Sequence, residues 1–341
     1  MINVLVAFGP VVAFLAALFV MDSFKLVRPA TVLAAMTWGG VAALASLLVN
    51  AGLIHTLELP ADTVSRYFAP VLEEAAKASF VVMLIARRRV GFLVDAALQG
   101  FAVGTGFALV ENLSYLGVMP DATIALWFVR GLGTAVLQGA TTAIFAIMSK
   151  ALEDRHPERL VAGFLPGAAL AIVIHSAFNH RLLPPVAQTL VLLIVLPLLV
   201  LAVYTRSERA TREWIGAGLD LDLAVLQLML SEHFGVTQFG RYLDQLRKRL
   251  PGYVVADMFC LLRLELELSI QAKALLMARQ VGVHLPADDD LFASLDEYRH
   301  LKHSIGMTGL LALKPLQVTT HRDHWHQFLL KESAAPRSAL P

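Results

Sequence analysis

The sequence predicts an all-α protein: a polytopic membrane helix bundle of about seven transmembrane helices, followed by a C-terminal helical domain. The chain is 57% hydrophobic and only 16% charged, whereas soluble domains average about 25% charged. Its charges are also uneven, because residues 1–204 hold 12 Lys/Arg and 11 Asp/Glu while the shorter segment 205–341 holds 16 of each. We therefore predict a transmembrane domain over 1–204 and a soluble α-helical domain over 205–341.

Seven apolar stretches are long enough to cross the hydrocarbon layer as helices, which takes about 20 residues. They cover residues 2–21, 30–52, 66–86, 91–117, 122–149, 160–181 and 182–204. We expect the first stretch to be a retained span. A cleavable signal peptide carries its positive charge first, and here Lys25 and Arg28 follow the apolar residues.

The basic residues of the connecting segments alternate between the two sides of the membrane. Eleven fall on one side: Lys25, Arg28, Arg87, Arg88, Arg89, Lys150, Arg155, Arg159, Arg206, Arg209 and Arg212. Only Arg66 and Arg181 fall on the other. Because basic loops stay in the cytoplasm, we predict an outer N-terminus and a cytoplasmic C-terminal domain in a multi-pass protein of the cell (inner or plasma) membrane.

Composition also excludes some partners and sites. The formal net charge of +1 offers no argument for nucleic-acid binding. The single cysteine, Cys260, excludes an intramolecular disulfide and a Cys-rich metal site.

The cytoplasmic segment shows four helical patterns, over about 221–234, 238–250, 254–280 and 290–303. They predict a small bundle that regulates, scaffolds or homo-oligomerises the protein. Near its end stand His321, His324 and His326. They are more typical of a solvated helix or tail than of a metal site, because no cysteine or second ligand cluster accompanies them.

The third span is unusual because it carries Glu73, Glu74 and Lys77 near its middle. Each ionisable group at that depth costs about 2.5–3.5 kcal/mol on insertion scales, so such groups usually face a protein-lined or hydrated interior. One interpretation is structural: Glu73 and Lys77 are four residues apart on one helical face and could neutralise each other.

Other spans bring polar groups to a similar depth. Counting along each helix at 1.5 Å per residue places five of them in the outer half of the bilayer, namely Glu73, Glu111, Arg130, His175 and Asn179. Independent salt bridges have no reason to share one depth, so a common site is favoured. Glutamate, histidine and asparagine on neighbouring helices could supply the base and the oxyanion donors that peptide hydrolysis needs.

Gly100, Gly104 and Gly106 lie in the fourth span. We interpret them as a face of small residues that allows close helix packing.

Three motifs resemble the PrsW family of intramembrane proteases, which are relatives of the CAAX-processing and Abi-type proteases. The EExxK motif is Glu73-Glu74-Ala75-Ala76-Lys77; FxxxEN is Phe107 to Glu111-Asn112, with Tyr115 following; HxxxN is His175 to Asn179. Arg130 resembles the arginine of the family's fifth span. The resemblance covers residues 65–180, and its specificity comes from all three motifs occurring in order within spans.

The resemblance implies a bacterial hydrolase that cleaves membrane-anchored proteins, such as an anti-sigma factor, near the extracytoplasmic side. On that basis Glu73 is the base that activates water, and Glu74 or Glu111 is a partner acid. His175 and Asn179 stabilise the oxyanion, while Lys77 and Arg130 organise charge. Asn112 and Gln138 are supporting residues.

Gln138 departs from the family pattern. Family members usually have a histidine about eight residues after the arginine, and this chain has a glutamine there. The departure favours a glutamic-type protease over a metalloprotease. A zinc site with an open position stays open as an alternative, through Glu111, His175 and one further carboxylate.

Two other functions remain. A proton-coupled transporter would also carry Glu, Lys and His in its spans, although the chain shows neither two-half symmetry nor interrupted spans. A catalytically silent relative that binds membrane proteins is kept open by Gln138.

Overall fold

The computed structural model describes residues 2–119, 121–156, 159–283, 290–316, 325 and 327–330, and these form helices and connecting turns. The all-α prediction is confirmed. The chain divides into two compact units, Met1–Arg209 and Ala210–Pro341. The interpretation of His321, His324 and His326 lies outside the described residues.

Seven long helices belong wholly or partly to the first unit. They are α1 Ile2–Met21, α2 Pro29–His55, α3 Ala69–Ala86, α4 Leu93–Val118, α5 Ile124–Arg155, α6 Leu160–Asn179 and α7 Pro185–Leu230. Within the described ranges, six of them, all except α3, are long and apolar enough to cross a membrane. The protein is therefore a multi-pass membrane protein. A seventh span at α3 and the orientation stay predictions, because α3 has 18 residues and includes three ionisable side chains.

Helix α7 differs from expectation, because it runs without interruption through both the last predicted span and the first predicted cytoplasmic helix. The residues after position 204 include several Arg, Glu and Ala. These residues favour helix. The helix therefore continues beyond the point where the apolar membrane span ends.

Helix α4 is the centre of the first unit. It is buried along most of its length and packs against α1, α2, α3 and α5. A Cβ at Gly104 would lie 2.1 Å from the Gln138 carbonyl oxygen of α5, and a Cβ at Gly106 would lie 1.9 Å from the Met36 carbonyl oxygen of α2. Gly104 and Gly106 therefore lie on different faces of α4, the first against α5 and the second against α2, and do not form the single small-residue face that was predicted.

Two π-helical segments interrupt the regular geometry. Val64–Phe68 leads into α3, and Val129–Thr134 lies inside α5 around Arg130. Such segments are frequent at functional sites because they displace the following side chains around the helix axis.

The second unit contains the end of α7 with α8 Gln238–Leu246, α9 Gly252–Gln280 and α10 Leu291–Leu313. Helices α9 and α10 pack together. A buried ion pair joins Lys273 Nζ to Asp222 Oδ2 at 2.5 Å, and the ammonium lies 5.0 Å from the Trp214 ring centroid. These helices agree with the predicted small bundle.

Candidate functional site

A cavity of about 550 Å³ opens in the first unit between residues of α2, α3, α4, α5, α6 and α7. Its lining includes all five side chains predicted to share one depth: Glu73, Glu111, Arg130, His175 and Asn179. Residues that are more than one hundred positions apart in the sequence therefore border one space.

Glu74 lies beside this cavity but is not part of its lining. Its Oε1 accepts hydrogen bonds from Lys77 Nζ at 2.7 Å and Thr141 Oγ1 at 2.9 Å, and it lies 2.8 Å from His175 Nδ1. Glu74 is only 3% exposed and Lys77 is fully buried. The lysine thus pairs with Glu74 and not with Glu73, contrary to the structural interpretation of the sequence.

His175 joins the two adjacent glutamates. Because Glu74 can only accept hydrogen bonds when it is ionised, the network assigns the Nδ1 proton of His175 to the bond with Glu74. The other ring nitrogen, Nε2, is then directed to Glu73 Oε2, 3.8 Å away. A carboxylate that binds one ring nitrogen in this way fixes the orientation of the imidazole.

Arg130 holds the second carboxylate of the cavity. Its Nη2 donates to Glu111 Oε1 at 2.9 Å, and its Nε donates to Asn112 Oδ1 at 3.1 Å. The Tyr115 ring stacks on the guanidinium, with 3.4 Å from Cζ to the ring centroid. Asn112 in turn donates to the Ala7 carbonyl at 2.7 Å, so helix α1 supports the pair.

Gln138 reaches the cluster from α5. Its Oε1 accepts a hydrogen bond from Lys77 Nζ, and its Nε2 donates to Glu73 Oε2 at 3.3 Å and to Glu111 Oε2 at 3.1 Å. The side chain is 1% exposed. One amide therefore joins the two carboxylates that line the cavity.

Glu73 differs from the other two glutamates in its partners. Asn50 Nδ2 donates to its Oε1 at 3.4 Å, and Gln138 supplies the other amide donor. In the described part of the chain no lysine or arginine lies at ion-pair distance from Glu73, whereas Glu74 and Glu111 each have one.

Asn179 is at the cavity, but its amide is engaged elsewhere. Its Nδ2 donates to the Ser65 carbonyl at 2.8 Å, and Ser176 Oγ donates to the Arg66 carbonyl at 2.7 Å. The end of α6 thereby binds the π-helical turn that leads into α3.

Sequence reasoning missed Asn50 and Thr141. Asn50 is a polar residue near the C-terminal end of α2, and Thr141 lies one turn after Gln138 on α5. Depth counting applied to every polar residue in the spans would have found Asn50. The contact of Thr141 depends on how α5 faces α3.

Comparison with known families agrees with this site. Residues 28–204, more than half of the chain, match the family described as PrsW family intramembrane metalloprotease. The matched range includes every side chain of the cavity and of the hydrogen-bond network around it. Searches against curated proteins and against solved structures found no match. A match of this extent shows that the chain belongs to the PrsW family of intramembrane proteases.

Proposed function

We propose that the cavity is the active site of a glutamate-dependent intramembrane endopeptidase with Glu73 as the general base. One observation carries this proposal: Glu74 is paired with Lys77 and Glu111 with Arg130, while the partners of Glu73 among the described residues are amide donors and a nearby imidazole. A carboxylate that faces a polar cavity without a neutralising cation is the group best placed to take a proton from water.

The proposed reaction begins with a water molecule at the Glu73 carboxylate. Its proton moves to Glu73 as its oxygen attacks the carbonyl carbon of the scissile peptide bond. The tetrahedral intermediate then collapses with cleavage of the C–N bond, and Glu73 returns the proton to the leaving amine nitrogen. His175 Nε2, 3.8 Å from Glu73 Oε2, orients the water and, when protonated, stabilises the oxyanion.

The remaining residues position these groups. Glu74, which binds Lys77 and Thr141, fixes the tautomer and ring orientation of His175 and is better suited to that task than to proton transfer. Arg130 adds positive charge next to the reacting carbonyl. Because the amide of Asn179 binds Ser65, its contribution to the oxyanion would require that bond to open.

We propose that the substrates are membrane-anchored proteins, anti-sigma-factor-like as the family resemblance implies, which are cut near the extracytoplasmic side. A cavity of about 550 Å³ is in the range of small-molecule pockets, so it fits a short extended segment of a substrate and not a folded one. We place the second unit in the cytoplasm, where it would regulate the protease or join copies of the chain.

The description of the family implies a metal ion, and the residues present do not fit one. No group of three His, Cys, Asp or Glu side chains among the described residues is arranged to hold a metal. Moreover, Gln138 directs N–H donors at the two carboxylates of the cavity, where a metal would need free acceptor atoms. We therefore derive no step through a metal.

The test is hydrolysis of a tethered single-span reporter by the purified chain in liposomes. Glu73→Gln keeps the size of the side chain but removes the base, and general-base catalysis contributes about 10²–10⁴-fold. We expect cleavage to fall by at least about 100-fold, measured as product per minute on gels.

Glu153→Gln is the matched control. Glu153 is a carboxylate in the same unit, but it has a cationic partner, Lys150 at 2.6 Å, and it does not line the cavity. Cleavage by Glu73→Gln at the parental rate would remove Glu73 from the reaction. Substrate binding without cleavage by the parent would favour a silent relative, and solute flux without cleavage would favour a transporter.

A further inference from the structure

The side chain of Gln138 is held in a single place by both its backbone and its amide. Its backbone carbonyl oxygen accepts a hydrogen bond from the Thr142 hydroxyl at 3.0 Å. The close approach of Gly104 fixes the distance between α4 and α5 at the same point. The amide therefore enters the cluster from a rigid position.

Lys77 decides which way the amide faces. An ammonium group has three donors and no acceptor, so the Gln138 oxygen must point to Lys77 and the NH₂ group to Glu73 and Glu111. The reverse orientation would place an NH₂ group against the ammonium and an oxygen against two carboxylates. Every contact would then be repulsive.

This orientation conflicts with a cation between the carboxylates. The two N–H groups of Gln138 point at Glu73 Oε2 and Glu111 Oε2, 3.3 and 3.1 Å away. A metal shared by those oxygens would lie next to the same N–H groups and near the charges of Lys77 and Arg130. Among the residues that the structure describes, His175 is the one imidazole that borders the space, whereas hydrolytic zinc sites commonly combine two or three histidines with at most one carboxylate.

We propose that Gln138 is a positioning residue that replaces a metal ion in this protein: its amide holds Glu73 and Glu111 at a fixed separation and excludes a divalent cation. The inference deepens the proposed function and rests on it for the catalytic use of Glu73. The absence of a bound cation is a separate claim, which can be measured without substrate.

The experiment measures zinc bound by the full chain in detergent after incubation with excess Zn²⁺ and removal of weakly bound ion. We expect well below one equivalent for the parent. We expect about one equivalent for Gln138→His, which would add a second imidazole to His175, Glu73 and Glu111 and so supply the four ligands of a tetrahedral zinc site. Co²⁺ should give the visible absorption of a low-coordinate site in Gln138→His and not in the parent.

Gln188→His is the matched control. Gln188 lines the same cavity from α7 but donates to the Phe178 carbonyl at 3.4 Å and not to a carboxylate. A histidine there should not raise the zinc content. The double variant Gln138→His with His175→Ala should lose the gain in bound zinc.

A second variant guards against misfolding of Gln138→His. Gln138→Glu has the same length, keeps an acceptor for Lys77 and adds a third carboxylate beside Glu73 and Glu111, so it should gain Mg²⁺ or Mn²⁺ binding relative to the parent. About one tightly bound zinc in the parent would overturn the proposal, and so would folded Gln138 variants that gain no cation. A metal-free parent that fails to cleave any reporter would instead overturn the proposed function and leave the cation exclusion standing.

Discussion

At the scale of single residues, two adjacent glutamates have different surroundings and therefore different chemistry. Neighbouring positions on an α-helix point about 100° apart, so Glu74 enters a buried set of donors while Glu73 borders the cavity. The ion pair with Lys77 keeps Glu74 in place as the anchor for His175. Glu73 is the carboxylate that we propose as the reacting base.

Arg130 gives a prediction at this scale. Its guanidinium bonds Glu111 and Asn112 through different nitrogens and stacks on Tyr115, and a lysine ammonium cannot reproduce that geometry. A charge-assisted hydrogen bond contributes about 1.5–3 kcal/mol, and about 1.4 kcal/mol corresponds to tenfold in rate. We expect Arg130→Lys to lower kcat/KM for the reporter by about tenfold or more.

Arg66→Lys is its control. The Arg66 guanidinium forms an exposed pair with Asp62 at 3.4 Å, and such pairs contribute about 0–1 kcal/mol. Equal rates for both variants would show that the contacts of Arg130 do not act in catalysis.

At the scale of helices, the site depends on how closely α4 approaches its neighbours. Gly104 allows the backbone of α5 to come within contact of α4 at Gln138, and that approach lets one amide reach carboxylates on α3 and α4. Arg130 lies in the π-helical segment of α5. Its side chain therefore points in a different direction from the one that a regular α-helix would give it.

Gly104→Ala tests this dependence. The added Cβ would lie 2.1 Å from a backbone oxygen, and a helix backbone cannot move aside alone. Overpacking of this kind costs about 1–3 kcal/mol, so we expect a lower unfolding temperature in detergent and reduced hydrolysis. Gly117→Ala, in the same helix with nothing within 4 Å, should be neutral or slightly stabilising. Equal stability of the two variants would argue against the close packing.

At the scale of the whole molecule, a membrane unit carries the site and a second helical unit follows it. The basic residues of the loops predict an outer N-terminus and a cytoplasmic second unit. The cavity lies in the outer half of the bilayer only if this orientation holds. The topology therefore decides on which side of the membrane the substrate is cut.

Cysteine labelling tests the orientation. In a Cys260→Ser background the chain has no other cysteine, and Thr56 and His233 are both exposed. A membrane-impermeant maleimide should label Thr56→Cys in intact cells and His233→Cys only after permeabilisation. The reverse pattern would invert the topology and move the cleavage site to the cytoplasmic side.

The sequence by itself determined where most of the helices lie and which polar residues of different helices stand at a common level, because apolar length and a constant rise per residue depend only on the local chain. That was enough to select Glu73, Glu111, Arg130, His175 and Asn179. The tertiary structure alone decided the pairings: Lys77 with Glu74, Gln138 across two carboxylates, and Asn179 on Ser65. Pairings depend on the rotation of each helix about its axis and on its packing partner, and contacts between distant residues set both.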